Sequence, residues 1–129
     1  MFRQIEIHPD DQKYQVILWR FDTQDKVSFL FLQTVTYGMI STPFLAIWVT
    51  RQLAEDENLN FPLGAKILSE ETYVDETLSG GDTLKEALKK QVDFININQV
   101  GIFSLHKWAT NNSFLLDKIP DKLRIMFNE

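Results

Sequence analysis

The chain has 129 residues, 44% of them hydrophobic and ten of them Phe, no Cys, and a net charge of −5. That length holds one domain or part of one, with enough apolar side chains for a packed core. The missing cysteines exclude disulfides and thiolate zinc sites, and no apolar run is long enough to cross a membrane as a helix. Residues 1–64 hold five Lys/Arg and eight Asp/Glu, and residues 65–129 hold eight and ten. Neither half is basic, as a free-standing nucleic-acid module would be. The acidity is tolerable in the catalytic part of a larger protein whose basic parts lie elsewhere. No charged-then-apolar leader opens the chain, and together with the absence of Cys this sets the expectation of an intracellular protein, with no choice between cytoplasm and nucleus.

In chain order, residues 1–7 alternate imperfectly and predict a strand. A strand at the first residue suggests a chain cut from something longer. His8-Pro9-Asp10-Asp11 is a breaker followed by acids suited to a helix start, which predicts a one-turn helix over residues 9–13. Tyr14 to Trp19 is a second predicted strand, Phe21 to Lys26 a polar turn and Val27 to Val35 a third strand, the latter two strands pairing as a hairpin. Thr36 to Pro43 reads as a loop ending in a helix start. Ser41 or Thr42 can cap it, and Pro43 suits the first helical position because its missing N–H would be unpaired there anyway.

That helix is expected to reach Ala54 or Glu55. Asp56 to Gly64 reads as a polar loop around Phe61-Pro62, and Lys66-Ile67-Leu68 leads into a hairpin. Asp82-Thr83 caps a second helix over residues 83–98, with Leu84, Ala87, Leu88, Val92 and Ile95 on one face, and Gly101 ends it. Ile102 to Lys107 is predicted as a strand, Ser113 to Leu116 as a helical turn, and Lys122 to Phe127 as an apolar stretch that needs a partner. This order of elements gives an α+β fold class: an antiparallel sheet with two helices on one face.

The chemistry concentrates in Glu71 to Leu78. Thr72, Tyr73 and Val74 are strand formers, Asp75-Glu76 interrupts them, Thr77-Leu78 resumes, and Ser79-Gly80-Gly81 closes the unit. The pattern is a tight hairpin with two adjacent carboxylates at its tip. Such a pair is either a solvated loop or a divalent-metal site. Mg²⁺ takes carboxylate oxygens, keeps several waters, and needs only one or two protein ligands beside substrate phosphates. His8 and His106 lack a local ligand partner and read as structural.

A resemblance decides between these. Phe2-Arg3-Gln4-Ile5, His8-Pro9-Asp10-Asp11, Tyr14 with Leu18-Trp19-Arg20, Thr34 to Gly38 with Pro43, Phe61-Pro62, Tyr73-Val74-Asp75 with Leu78-Ser79-Gly80, Asp82-Thr83 and Lys107 to Asn111 follow one another in that order. Over nearly its whole length the chain resembles the reverse transcriptase of Bel/Pao-type long-terminal-repeat retrotransposons. The resemblance implies an incomplete palm of a right-hand polymerase with part of the fingers. It implies an RNA-directed DNA polymerase whose partners are an RNA or DNA template, a primer and a deoxynucleotide, with two Mg²⁺ as cofactor and no membrane.

On that resemblance Asp75 is the hairpin's catalytic metal ligand. Glu76 stands where the family has a second Asp, its carboxylate displaced by the extra methylene. Tyr73 would lie near the primer end, the alternative being a plain strand aromatic. Phe2 matches the residue under the incoming sugar, the alternative being a core Phe. Tyr37 and Gly38 match the loop that contacts the nucleotide, and Gly38 would allow close backbone approach. Lys107 matches a Lys placed toward the pyrophosphate, the alternative being a solvated surface side chain.

The family's first catalytic Asp would fall four residues before Met1. The thumb, the ribonuclease H domain and most of the fingers are absent from the sequence. The expectation is therefore a domain fragment, residues 1–129, that is inactive in isolation and exposes surfaces meant for the missing parts, including some of Phe29, Leu30, Phe31, Phe44 and Trp48. The alternative reading is a non-catalytic module, retained or recruited by a host, that binds nucleic acid or protein. A third, an unrelated α+β enzyme with Asp75 and Glu76 as acid and base, lacks a pocket to separate their pKa values.

Overall fold

The computed structural model describes residues 1–125. The part of the predicted apolar stretch at residues 126–127 lies outside them. The chain divides into two compact units, Met1–Val49 and the residues from Thr50 onward.

In the first unit, Phe2–Gln4 forms a single 3-10 turn rather than the predicted strand. Pairing there is limited to one antiparallel bridge between Glu6 and Thr34, flanked by Val35 N–H donating to Ile5 and Ile7 N–H donating to Gln33. Pro9–Tyr14 is a second 3-10 helix, as Pro9 at its first position and the His8 ring accepting from the Asp10 amide dictate. β1 (Val16–Trp19) and β2 (Ser28–Phe31) pair antiparallel, with Val16 opposite Phe31 and Leu18 opposite Phe29. Their connection is held by its own polar side chains. Asp22 accepts from the Gln24 amide at 3.0 Å, Asp25 accepts from the Asp22 amide at 3.1 Å, and Arg20 donates to the Thr23 carbonyl.

α1 runs Thr42–Glu57. Thr42 does not cap it through an amide. Its buried hydroxyl donates backward to the Thr36 carbonyl, while the Gln15 side chain accepts from the Thr36 amide, so Thr36 is held from both sides. Ile5, Val35 and Ala46 are the buried apolar residues of this unit.

The second unit is built on two packed helices. α2 spans Pro62–Glu70, where a loop and a hairpin lead-in were predicted. Pro62 at its first position is a helix-start signal, and Gly64, Ala65, Ile67 and Leu68 are its buried residues. α3 spans Leu84–Val100, capped by the Thr83 hydroxyl, which accepts from the Glu86 amide at 3.2 Å. Ala54, Ala65, Ile67, Leu68, Phe94 and Ile97 form one core, with Leu53, Phe61, Leu105 and Trp108 packed against it. The residues that face this core from α3 are Phe94 and Ile97, joined by the buried Asn98, whose amide donates to the Phe94 carbonyl. Leu84 and Val92 from the predicted apolar face are exposed.

Between α2 and α3 lies a two-stranded hairpin, β3 (Thr72–Tyr73) and β4 (Glu76–Thr77). After α3 the predicted strand over residues 102–107 does not form. The chain runs without regular structure to a single parallel bridge between Trp108 and Arg124, and the Trp108 ring meets Phe94 edge-on at 6.3 Å. α4 (Ser113–Leu116) is the predicted short turn, capped by Asn112.

Helices and antiparallel strands are thus both present. Among the described residues, however, the strands form two separate two-stranded sheets and not one sheet under two helices. The reason is length: β3 and β4 have two residues each, too few to extend a sheet beyond their own hairpin.

Candidate functional site

The hairpin over residues 71–78 is anchored on one side and open on the other. Thr72 stands opposite Thr77, and Tyr73 opposite Glu76. Opposed residues share a face of the sheet, and successive ones alternate. The threonine face is tied down: the two hydroxyls are 2.9 Å apart, and Thr72 donates on to the Ile67 carbonyl of α2 at 3.0 Å. Tyr73 and Glu76 take the opposite face, and both are exposed.

The loop of the hairpin is Val74-Asp75. The expectation of both acids at the tip is corrected here: Asp75 is in the turn, while Glu76 is the first residue of β4. Val74 has φ 58°, a left-handed backbone that a β-branched residue adopts at a cost. Among the described residues, neither Asp75 nor Glu76 has an ion pair or side-chain hydrogen bond. Two free adjacent carboxylates can supply one or two ligands to a hard cation that keeps its waters. No group of three His, Asp or Glu side chains is gathered for a metal among the described residues.

Beneath the hairpin an ion pair sets its attachment to α3. Lys90 Nζ lies 3.1 Å from Glu71 Oε1 and donates to the Gly80 carbonyl at 2.8 Å. Burial pushes the Glu71 carboxyl up, but the Ser79 side chain and the ammonium groups of Lys90 and Lys66 outweigh it and hold the carboxyl below its ordinary value. Lys90 thus clasps both ends of the segment that carries Asp75. Sequence reasoning had not singled it out, because its partners are ten and nineteen residues away and leave no local pattern.

Lys107 is exposed and left-handed, with φ 59°, immediately before the fixed Trp108. It sits in no strand. In the first unit, the Phe2 ring lies 5.7 Å from the Tyr37 ring at 60°, so two of the residues read as nucleotide contacts do meet. Tyr37 is otherwise exposed. Gly38 beside it has φ 89°, with open space where a side chain would go, so its backbone conformation and not crowding calls for glycine.

Comparison with protein-family models, with curated proteins and with solved structures finds no match for the chain.

Proposed function

We propose that the chain is a piece of an RNA-directed DNA polymerase of the Bel/Pao retrotransposon type, and that its β3–β4 hairpin is the one that bears a metal-binding carboxylate in the parent enzyme. The observation that carries the proposal is the placement of Asp75. It lies in a two-residue turn between Tyr73 and Glu76, unpaired, on a hairpin whose other face is bonded to α2. An exposed acid is ordinary in a turn, and on an anchored tip it is also placed to present a ligand. The left-handed backbone of Val74 belongs to the turn, because a two-residue hairpin loop requires a positive φ at its first position. The Phe2–Tyr37 contact beside Gly38 supports a nucleotide-facing role for that loop.

In this reading Asp75 holds Mg²⁺, with Glu76 alongside. Tyr73, on the same face as Glu76, is available to a primer end. By the resemblance, Phe2, Tyr37 and Gly38 of the first unit correspond to nucleotide contacts of the parent enzyme, and Lys107 of the second unit to a pyrophosphate contact. When bound, the metal activates the primer hydroxyl and neutralises the leaving group. Template and primer would be gripped by fingers and thumb that lie outside this sequence.

The test is a titration of Mn²⁺ into isotope-labelled chain. Amide signals of residues 73–77 should broaden first, and Asp75→Asn should remove that preference. Broadening spread evenly over the surface acids would overturn the proposal. A second reading, a retained binding module without catalysis, is favoured by a different observation: every residue of β1 and β2 is exposed, although seven of the eight are apolar. Primer–template binding at low salt without any preference of metal for the hairpin would select it.

A further inference from the structure

The β1–β2 hairpin carries an inference that does not draw on the polymerase reading. Its register sets Val16 opposite Phe31 and Leu18 opposite Phe29. Opposed side chains share a face, so these four form one patch, while Ile17, Trp19 and Leu30 take the other face. The patch is the more open of the two: Leu18 is 64% exposed, Phe29 67% and Phe31 54%. It contains no charged residue. A sheet face turned to water ordinarily carries polar side chains, and a two-stranded hairpin without a packed face is marginal in water.

We infer that this face packs against the same face of a second copy of the chain, in an isologous two-fold dimer. The area argues for it. Large aromatic side chains bring roughly 150–250 Å² each. At the exposures found here, Phe29 and Phe31 with Leu18, Val16 and the adjoining Val27 offer on the order of 500 Å² of surface. A standard interface uses about 800 Å² per partner, and homodimer interfaces are about 65% apolar, which calls for roughly 500 Å². The patch is therefore of the size that one half of a stable dimer requires. It is also self-complementary. With no charge in it, presenting it twice sets no like charges against each other, which an isologous contact must avoid. The dyad passes near the Leu18–Phe29 pair at its centre, with the two sheets about 10 Å apart.

The experiment is sedimentation velocity of the full chain across the micromolar range. A reversible dimer is expected. Leu18→Glu and Phe29→Glu should each weaken it about thirtyfold or more, as removal of a central anchor does. Trp19→Glu, on the opposite face, should leave it in place. The sequence has no Cys, so Leu18→Cys gives a second reading that does not depend on the fold tolerating a charge: facing sheets about 10 Å apart are too far for a disulfide, but a bifunctional thiol reagent with a spacer of about 10 Å should link the Leu18→Cys chain into dimers, and should not link Trp19→Cys. A monomer throughout the range, open-ended larger species in place of a dimer, or a dimer indifferent to both Glu variants would overturn the inference.

Discussion

Asp93 and Gly64 meet twice across the α2–α3 crossing. The Asp93 carboxylate accepts from the Gly64 amide at 2.9 Å and from the Leu63 amide at 2.8 Å. Its backbone carbonyl lies 2.7 Å from the point where a Gly64 side chain would begin, and Ile97 lies 2.8 Å from it. One residue of α3 thus caps the free N–H groups at the start of α2 and excludes any side chain there.

Two substitutions follow from that crossing. Gly64→Ala would gain about 1 kcal/mol by helix propensity in an open helix. Here the methyl group meets backbone that cannot yield, and a net loss of about 1–3 kcal/mol is expected. Asp93→Ala should cost about 1–2 kcal/mol through the lost cap. Chemical denaturation of each variant gives the sign, and a stabilised Gly64→Ala would show that the helices are not so close.

At the other end of α3 the left-handed position falls on Ile102, with φ 60°, and not on Gly101, with φ −73°. The Phe103 amide reaches the Asn98 carbonyl at 2.8 Å, and the Ile102 amide reaches Gln99 at 3.1 Å, which is the Schellman pattern with Ile102 in the strained place. Ile102 is 80% exposed, so little packing is lost with it. Ile102→Gly should therefore stabilise the chain by about 0.5–1 kcal/mol, the relief of left-handed strain exceeding the entropy cost of glycine. Gly101→Ala should do the reverse, because a side chain at 101 would collide with Leu53. Thermal melts of the two variants, moving in opposite directions, check this.

Lys90→Met should cost about 1–2 kcal/mol, since it removes bonds to both Glu71 and Gly80. The same pair sets a pH dependence. Glu71 titrates below its ordinary value in the folded chain. Its contribution is then complete above the unfolded pKa of about 4.3. It is lost as pH falls below that and through the folded value. Stability measured from neutral to acid pH should fall over that window, less steeply in Glu71→Gln. Hydrogen exchange at residues 72–77 should report the loosening locally.

The hairpin offers two carboxylates, while two-metal transfer needs a clamp on both the attacking and leaving oxygens. The isolated chain is expected to bind metal without extending a primer. Mg²⁺-dependent incorporation that disappears in Asp75→Ala would refute the expected inactivity and strengthen the polymerase assignment.

What the sequence determined by itself was local. His8-Pro9 made a 3-10 turn, the Asp22–Asp25 turn closed the β1–β2 hairpin, and Thr83 and Asn112 capped α3 and α4, each through groups a few residues apart. The Tyr73–Glu76 hairpin was legible for the same reason, and with it the candidate carboxylates. Tertiary structure decided what depends on distant partners. The apolar run of α2 is too short for periodicity to tell helix from strand, and its start is capped by a residue about thirty positions away. The segment after Gly101 has strand-forming residues but no neighbour to pair with until Trp108 meets Arg124. The attachment of the hairpin rests on Lys90, and which hairpin residue faces outward rests on the Thr72 bond to α2. Propensity and turn chemistry act over a few residues. Burial, capping across helices and ion pairing act through space, and only the folded chain brings those groups together.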